Sequence, residues 1–324
     1  MFGVLKKFFL FSGEENSRKF KRSIVISLID ALASALKIPA IMCVLMGVIE
    51  GKDLGKYILG SIAIMAVSII VGILCKMSST VLQTEGGYTT AAFKRIEMAE
   101  HLRYVPMGYF NSNSIGEIAS VTTNTMENLG DVATRVVMLT TQGLLETSMI
   151  ILMILLCDWR IALVSLAGVA IFLVINTVMQ NSGKQASSAK IDCDTELINQ
   201  IMEYIQGISE VKSYNLIGKQ TKRLNAANEA CVRANVKMEL VYVPYHFLQS
   251  VVTKLTGAAI IGLSACFYIN GSMSVLYAVG MSIAAFMLYG SLETMGTFSS
   301  LIHVVSVCVD KANAVLGLDT MDID

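Results

Sequence analysis

Charge is the scarcest property of this chain. Asp, Glu, Lys and Arg make up 15% of its 324 residues against 54% hydrophobic, with a mean hydropathy of +0.62, values that exclude an ordinary soluble domain and point to an integral membrane protein. The charges balance at 25 basic and 25 acidic residues, so no basic field exists to attract nucleic acid. Proline occurs only three times, at 39, 106 and 244, which leaves long stretches where nothing interrupts a helix. Seven cysteines, at 43, 75, 157, 193, 231, 266 and 308, form no CxxC pair and read as small packing residues. Of the histidines, His246 and His303 have no second histidine or carboxylate at ligand spacing, so no metal site is expected. Neither a nucleophile with its base nor a hydrolytic carboxylate pair is recognisable, and no catalytic residue is expected in this chain. The run Phe8 to Phe11 is too short for a secretory leader.

What is abundant is apolar sequence in helix-length blocks. Residues 1–22 mix Phe2, Leu5, Phe8, Phe9 and Phe11 with Lys6, Lys7, Arg18 and Lys19, the pattern of an elbow helix lying in the headgroup layer. Six spans follow: Ser23 to Ile49 with a kink near Pro39, Tyr57 to Cys75, Val136 to Cys157, Ile161 to Met179, Phe247 to Ile269, and Val275 to Val309 with its continuation. Each apolar block meets the roughly 20 residues a hydrocarbon core requires. The fold class is therefore all-α, a six-helix membrane domain. Trp159, in the turn Asp158 to Arg160, reads as an interfacial anchor.

Two long connections break this rhythm. Lys76 to Tyr104 continues helical for roughly 40 Å beyond the bilayer until Pro106. Ser114 and Glu117 stand in the relation of a capping box ahead of a polar helix Ile115 to Val132. Later, Ile191, Ile198, Ile201, Ile205 and Ile208 form one seam, and Leu224, Ala227, Cys231, Ala234 and Met238 form another, as two packed arms of a helical hairpin require. Most basic residues lie in these hairpins and the amino terminus, whereas the other loops hold only Lys52, Lys56 and Arg160. The positive-inside tendency makes the hairpins and both termini cytosolic.

Two stretches carry a family likeness. Leu102 to Met126, LRYVPMGYFNSNSIGEIASVTTNTM, and Glu203 to Gly218, EYIQGISEVKSYNLIG, resemble the two coupling-helix regions of exporter-fold (type IV) ABC half-transporters. The resemblance implies a transmembrane domain over 23–313 in the cytoplasmic (inner) membrane. Its turns, with Pro106, Met107, Tyr109, Phe110 and Asn111 on the first and Lys212, Ser213, Tyr214 and Asn215 on the second, would dock on nucleotide-binding domains. ATP and Mg would bind there, since this chain holds no cofactor. A second half-transporter, identical or different, would complete the unit. The sequence has no G-x-x-x-x-G-K-[ST] phosphate loop, and residues 314–324 are similar to a linker leading into a nucleotide domain. The expectation is a chain that stops ahead of its ATPase domain, with a separate ATPase as the alternative. The first region is also similar to the siderophore-uptake subgroup, which makes import of iron-siderophore complexes an alternative to export of a drug-like, lipid-like or peptide-like amphiphile. An ion-coupled carrier is a third reading, but neither inverted repeats nor discontinuous helices are clear.

Substrate contacts are sought among ionisable residues inside spans, which are costly to keep there. Lys37 and Glu146 fall at similar depth on the first and third spans, as an interhelical ion pair or as a polar cavity wall. Gln142 joins them as a candidate. Asp30, Lys254 and Glu293 fall nearer the cytosolic leaflet. Tyr277 and Tyr289 offer hydroxyls, either to a ligand or to a neighbouring helix. Met42, Met46, Met153, Met179, Met281 and Met287 read first as packing residues.

Overall fold

The computed structural model describes residues 2–51, 54–213 and 217–321. Eleven α-helices run through them: α1 (Phe2–Phe11), α2 (Gly13–Ala35), α3 (Lys37–Glu50), α4 (Leu54–Leu102), α5 (Ser112–Ser120), α6 (Met126–Cys157), α7 (Trp159–Gln206), α8 (Ile208–Ser213), α9 (Ile217–Ile269), α10 (Val275–Ser299) and α11 (Ile302–Leu316). Joined where they abut, they give six segments long and apolar enough to cross a membrane. Helices α4, α7 and α9 hold 49, 48 and 53 residues, about 72 to 80 Å each, more than twice the roughly 30 Å of a hydrocarbon core.

The first crossing consists of α2 and α3, broken at Leu36. The proline ring at 39 removes the amide that would reach Ala35 and crowds that carbonyl, so the helix restarts with the Ala40 amide donating to the Leu36 carbonyl at 3.1 Å. Helix α4 returns antiparallel along a ladder of small polar residues. The Thr89 hydroxyl donates to Asn16 Oδ1 at 2.9 Å, the Ser27 and Ser79 hydroxyls lie 3.1 Å apart, and Ser68 donates to the Ala33 carbonyl at 2.6 Å. Small side chains allow close approach between apolar helices, and their hydroxyls hold the register.

Several boundaries differ from the sequence expectations. Helix α4 stops at Leu102, ahead of Pro106, and α5 begins at Ser112, so Ser114 lies within the helix and cannot be its cap. The Asn111 carbonyl accepts from the Ile115 amide at 3.0 Å. The expected helix Ile115 to Val132 contains a π turn over Val121–Thr125. Arg95 lies against it: its guanidinium takes the carbonyls of Thr122 and Thr123 at 2.9 and 3.0 Å, while the Thr123 hydroxyl bonds back to the Ala119 carbonyl at 2.6 Å. Both effects loosen the regular ladder. The sixth crossing divides at Ser300 and Leu301, where Ser299 accepts amide bonds from Asn176, at 3.0 Å, and Gln180.

In the second hairpin α7 runs along α9. Tyr242 packs on Gly183 and shares a hydrogen bond with Ser187 at 3.0 Å, and the Cys231 thiol donates to Asp194 Oδ1 at 2.9 Å. The α9 seam forms as expected, with Cys231 and Met238 buried. The α7 seam does not reach the tip: Ile191 is buried, but Ile201 and Ile205 are exposed. Arg223 and Glu203 bridge the arms there at 3.8 Å, and Gly207 ends α7 before Ile208 opens α8.

The main apolar core within the crossings joins α6, α7, α9 and α10 through Ile154, Ile161, Phe172, Ile260, Leu288 and Met295. At its edge Gly143 of α6 sits against α10 so closely that an added Cβ would stand 2.6 Å from the Ser291 carbonyl oxygen and 2.7 Å from Met295 Cβ. Backbone cannot step aside as a flexible side chain can. Gly143→Val is therefore expected to lower stability by about 1–3 kcal/mol, read as a lower melting temperature of the detergent-solubilised protein. A melt equal to wild type would show that α6 and α10 do not meet at this glycine.

Candidate functional site

Five helices deliver polar side chains to one cavity of about 580 Å³. Asp30 comes from α2, Lys37 from the start of α3, Lys76 from α4, Gln142 and Glu146 from α6, and Ser291 from α10. Gln142 and Glu146 are one helical turn apart, and the Gln142 amide donates to Glu146 Oε1 at 2.7 Å. The other oxygen of Glu146 accepts from the Ser291 hydroxyl. The break at Leu36 puts Lys37 at the mouth of α3, and antiparallel pairing of α2 with α4 brings Lys76 one turn from Gly72, which packs against Asp30. No ion pair within 4.0 Å joins Lys37 to Glu146, so the pairing alternative is not realised. Lys37 and Lys76 both stand without an ion-pair partner among the described residues. Apolar walls are supplied by Ile69, Ile73, Phe286 and Met287.

A second cavity, of about 520 Å³, holds Lys254, Tyr289 and Glu293 together with Thr253. The Thr253 hydroxyl donates to Glu293 Oε1 at 2.5 Å. Tyr289 is buried, its hydroxyl beside Gly168 and Thr256. Phe286 and Gly290 line both cavities. The exposed stripe of α10 through Phe286, which is 78% exposed, is thus a shared wall with Lys37 and Glu146 on one side and Lys254 and Glu293 on the other. Sequence depth alone separates these two groups, whereas the packing of α10 joins them. Lys76 and Ser291 escaped the sequence reading. Lys76 closes an apolar block and passes for an interfacial charge, and only its register with Asp30 on α2 gives it away.

The remaining candidates lie elsewhere. Met179 and Met281 are buried in packing, Met153 lines a small apolar groove of about 280 Å³, and Met46 is exposed. Tyr277 is exposed at the start of α10. His246 Nδ1 lies 3.3 Å from Gln249 Oε1. Among the described residues no group of His, Cys, Asp and Glu is arranged to hold a metal ion.

At the far end of the first hairpin Pro106 leads into a short 3-10 turn, Met107–Tyr109. Met107 is 79% exposed, and Tyr109 stacks edge-on against Phe110 with ring centroids 6.1 Å apart. Buried Val105 anchors the turn from behind. The segment after α11 runs back alongside it: the Met321 amide donates to the Tyr104 carbonyl at 2.7 Å, and His101 Nε2 lies 3.0 Å from the Leu318 carbonyl. On the second hairpin, Lys212 and Ser213 end α8 exposed, over a buried Val211. Tyr214 and Asn215 lie outside the described residues.

Six crossings, two long hairpins on one side and a polar cavity between the crossings agree with the comparison to known families, in which residues 23–292 match the ABC transporter transmembrane region. The chain belongs to that family. No curated protein matches it. It is a multi-pass membrane protein with an exporter-type ABC transmembrane fold, and it forms the membrane part of an ABC transporter. An ABC transmembrane domain works with nucleotide-binding domains and usually with a second half.

Proposed function

We propose that the chain moves an amphiphilic small molecule across the cytoplasmic membrane, driven by ATP and Mg bound to its nucleotide-binding domains. One observation carries this reading: the cavity along α10 combines two lysines without ion-pair partners among the described residues, Lys37 and Lys76, with an apolar wall of Ile69, Ile73, Phe286 and Met287. Such a surface suits a ligand with an acidic or strongly hydrogen-bonding head and an apolar body. Gln142, Glu146, Lys254, Tyr289 and Glu293 complete the proposed contact set. A second half, identical or different, would face the exposed stripe of α10 and close the cavity.

The exposed turns with Pro106, Met107, Tyr109, Phe110 and Asn111, and with Lys212 and Ser213, would rest on the nucleotide domains. Their movement would travel up the long helices as rigid-body motion. This places the hairpins and both termini in the cytosol. Residues 1–22 act as an elbow and those from 314 as a linker. The path of residues 317–321 beside the first turn supports that arrangement, because a domain joined there would begin next to the surface it grips.

Export is the direction we favour. Import of iron-siderophore complexes is the second reading, favoured by the likeness of residues 102–126 to the siderophore-uptake subgroup and by Lys37 and Lys76 in the cavity, which suit acidic chelates. Inside-out vesicles carrying the complete transporter decide between them: export predicts ATP-dependent accumulation of acidic dyes, and import predicts ATP-dependent release of a preloaded iron chelate. Absence of any ATP-dependent flux with either class would remove the proposal.

A further inference from the structure

A third cavity, of about 570 Å³, shares no lining residue with the two along α10. It opens between α1, α2 and α6. Phe9 and Leu10 of α1, Ile24 of α2, and Leu144 and Leu145 of α6 make it apolar, and Lys6 and Lys21 stand at its rim. Among the described residues no acidic side chain lines it.

The neighbouring lysines are all committed. Lys7 reaches Asp310 at 2.5 Å, Lys19 reaches Glu85 at 2.7 Å, and Lys94 reaches Glu97 at 2.7 Å while covering the Phe11 ring. Lys6 and Lys21 differ: both are exposed, and neither belongs to an ion pair among the described residues. They come from separate helices and converge on one apolar slot. Leu10, 75% exposed, leaves an apolar side chain on the open side of the same slot.

Position adds a further constraint. Lys21 stands two residues before Ser23, where the first apolar run begins, so the rim lies at headgroup depth while Ile24, Leu144 and Leu145 lie at the depth of the acyl chains. Lysine ammonium groups at that level attract anionic headgroups and keep their methylene stems on apolar surface. We propose that this slot is a binding site for one anionic phospholipid of the surrounding bilayer, its phosphate held between Lys6 and Lys21 and an acyl chain lying against Phe9, Ile24 and Leu144. The occupant is a structural lipid that fixes α1 against the first and third crossings.

Native mass spectrometry of the full-length protein tests this, after reconstitution in an equimolar mixture of phosphatidylglycerol and phosphatidylcholine with identical acyl chains. One retained phosphatidylglycerol in about thirtyfold excess over phosphatidylcholine is expected, the scale set by two cations beside one anionic headgroup. Lys6→Ala with Lys21→Ala brings that ratio to the ratio of the bulk mixture, and Lys6→Arg with Lys21→Arg preserves the excess. Leu144→Trp, which fills the slot, removes the retained lipid. Lys56→Ala, a basic residue distant in sequence from the slot, changes nothing. An equal excess in the double alanine variant, or no excess in the wild type, overturns the proposal. If the alanine pair fails to fold, Leu144→Trp alone decides, since continued retention in that variant also overturns it.

Discussion

Replacing Tyr109 and Phe110 together by alanine is expected to suppress ATP-driven transport by about thirtyfold while the chain still folds and inserts. The turn that carries them is a 3-10 turn with Met107 largely exposed and the two rings in a T-shaped, edge-to-face contact. An exposed apolar and aromatic cluster at the tip of a long helical arm is an unfavourable surface unless another protein covers it. Aromatic anchors of that kind contribute about 1 kcal/mol or more each when they seat in a partner pocket, and about 2 kcal/mol for the pair is the thirtyfold stated. The measurement pairs substrate flux with ATP hydrolysis in proteoliposomes of the assembled transporter. Coupling through this turn requires flux to fall much further than basal hydrolysis, with Tyr109→Phe close to wild type because the ring remains. Full transport by the double alanine variant would show that force enters elsewhere, with α8 the next place to look.

The crossings and hairpins were legible in the sequence because their signals are long. Apolar blocks of helix length, three prolines and two seams of helical period specify six crossings and the packed arms of the second hairpin without reference to tertiary structure. What escaped depends on single contacts between distant residues. The π turn at Val121–Thr125 coincides with Arg95, on another helix, taking the carbonyls of Thr122 and Thr123; the back-bonding threonines of Val-Thr-Thr-Asn-Thr loosen the ladder locally, but they do not by themselves announce a π turn. The break at Ser300 is similar, since Ser299 is held by Asn176 and Gln180 of α7. Pro39 shows the opposite case: its effect is local, so the break falls within one turn of the residue that causes it.

The cavity was legible only in part, for a related reason. Lys37 and Glu146 are suspicious in any apolar run, and depth arithmetic puts them at one level. Whether they pair or face open space depends on Gln142 and Ser291, which satisfy both oxygens of Glu146 and leave Lys37 to the cavity. Depth arithmetic also assigned Lys254 and Glu293 to a separate layer, because it treats each span alone. Helix α10, through Phe286 and Gly290, makes the two groups neighbours across one wall.

That arrangement leads to the prediction with the clearest sign. The polar cavity holds Asp30 and Glu146 against Lys37 and Lys76, but Glu146 is already satisfied by an amide and a hydroxyl, while both lysines lack an ion-pair partner among the described residues. An acidic ligand head therefore finds two ammonium donors not held in an ion pair among the described residues, in a cavity whose formal charges balance. For an acidic amphiphile, Lys37→Ala and Lys76→Ala are each expected to raise KM by about tenfold or more, the cost of one charge-assisted hydrogen bond, with a smaller change in the maximal rate. Glu146→Gln should change KM less than about threefold, because a glutamine can keep partners in the same place and the lost charge was not facing the ligand unaccompanied. For a cationic amphiphile the order reverses: the lysine variants bind better, and Glu146→Gln and Asp30→Asn bind worse. Flux measured with a matched acidic and basic dye pair in wild type and these four variants reads the sign directly. Equal effects of all four substitutions on both dyes would mean that these charges hold helices together and do not meet the substrate.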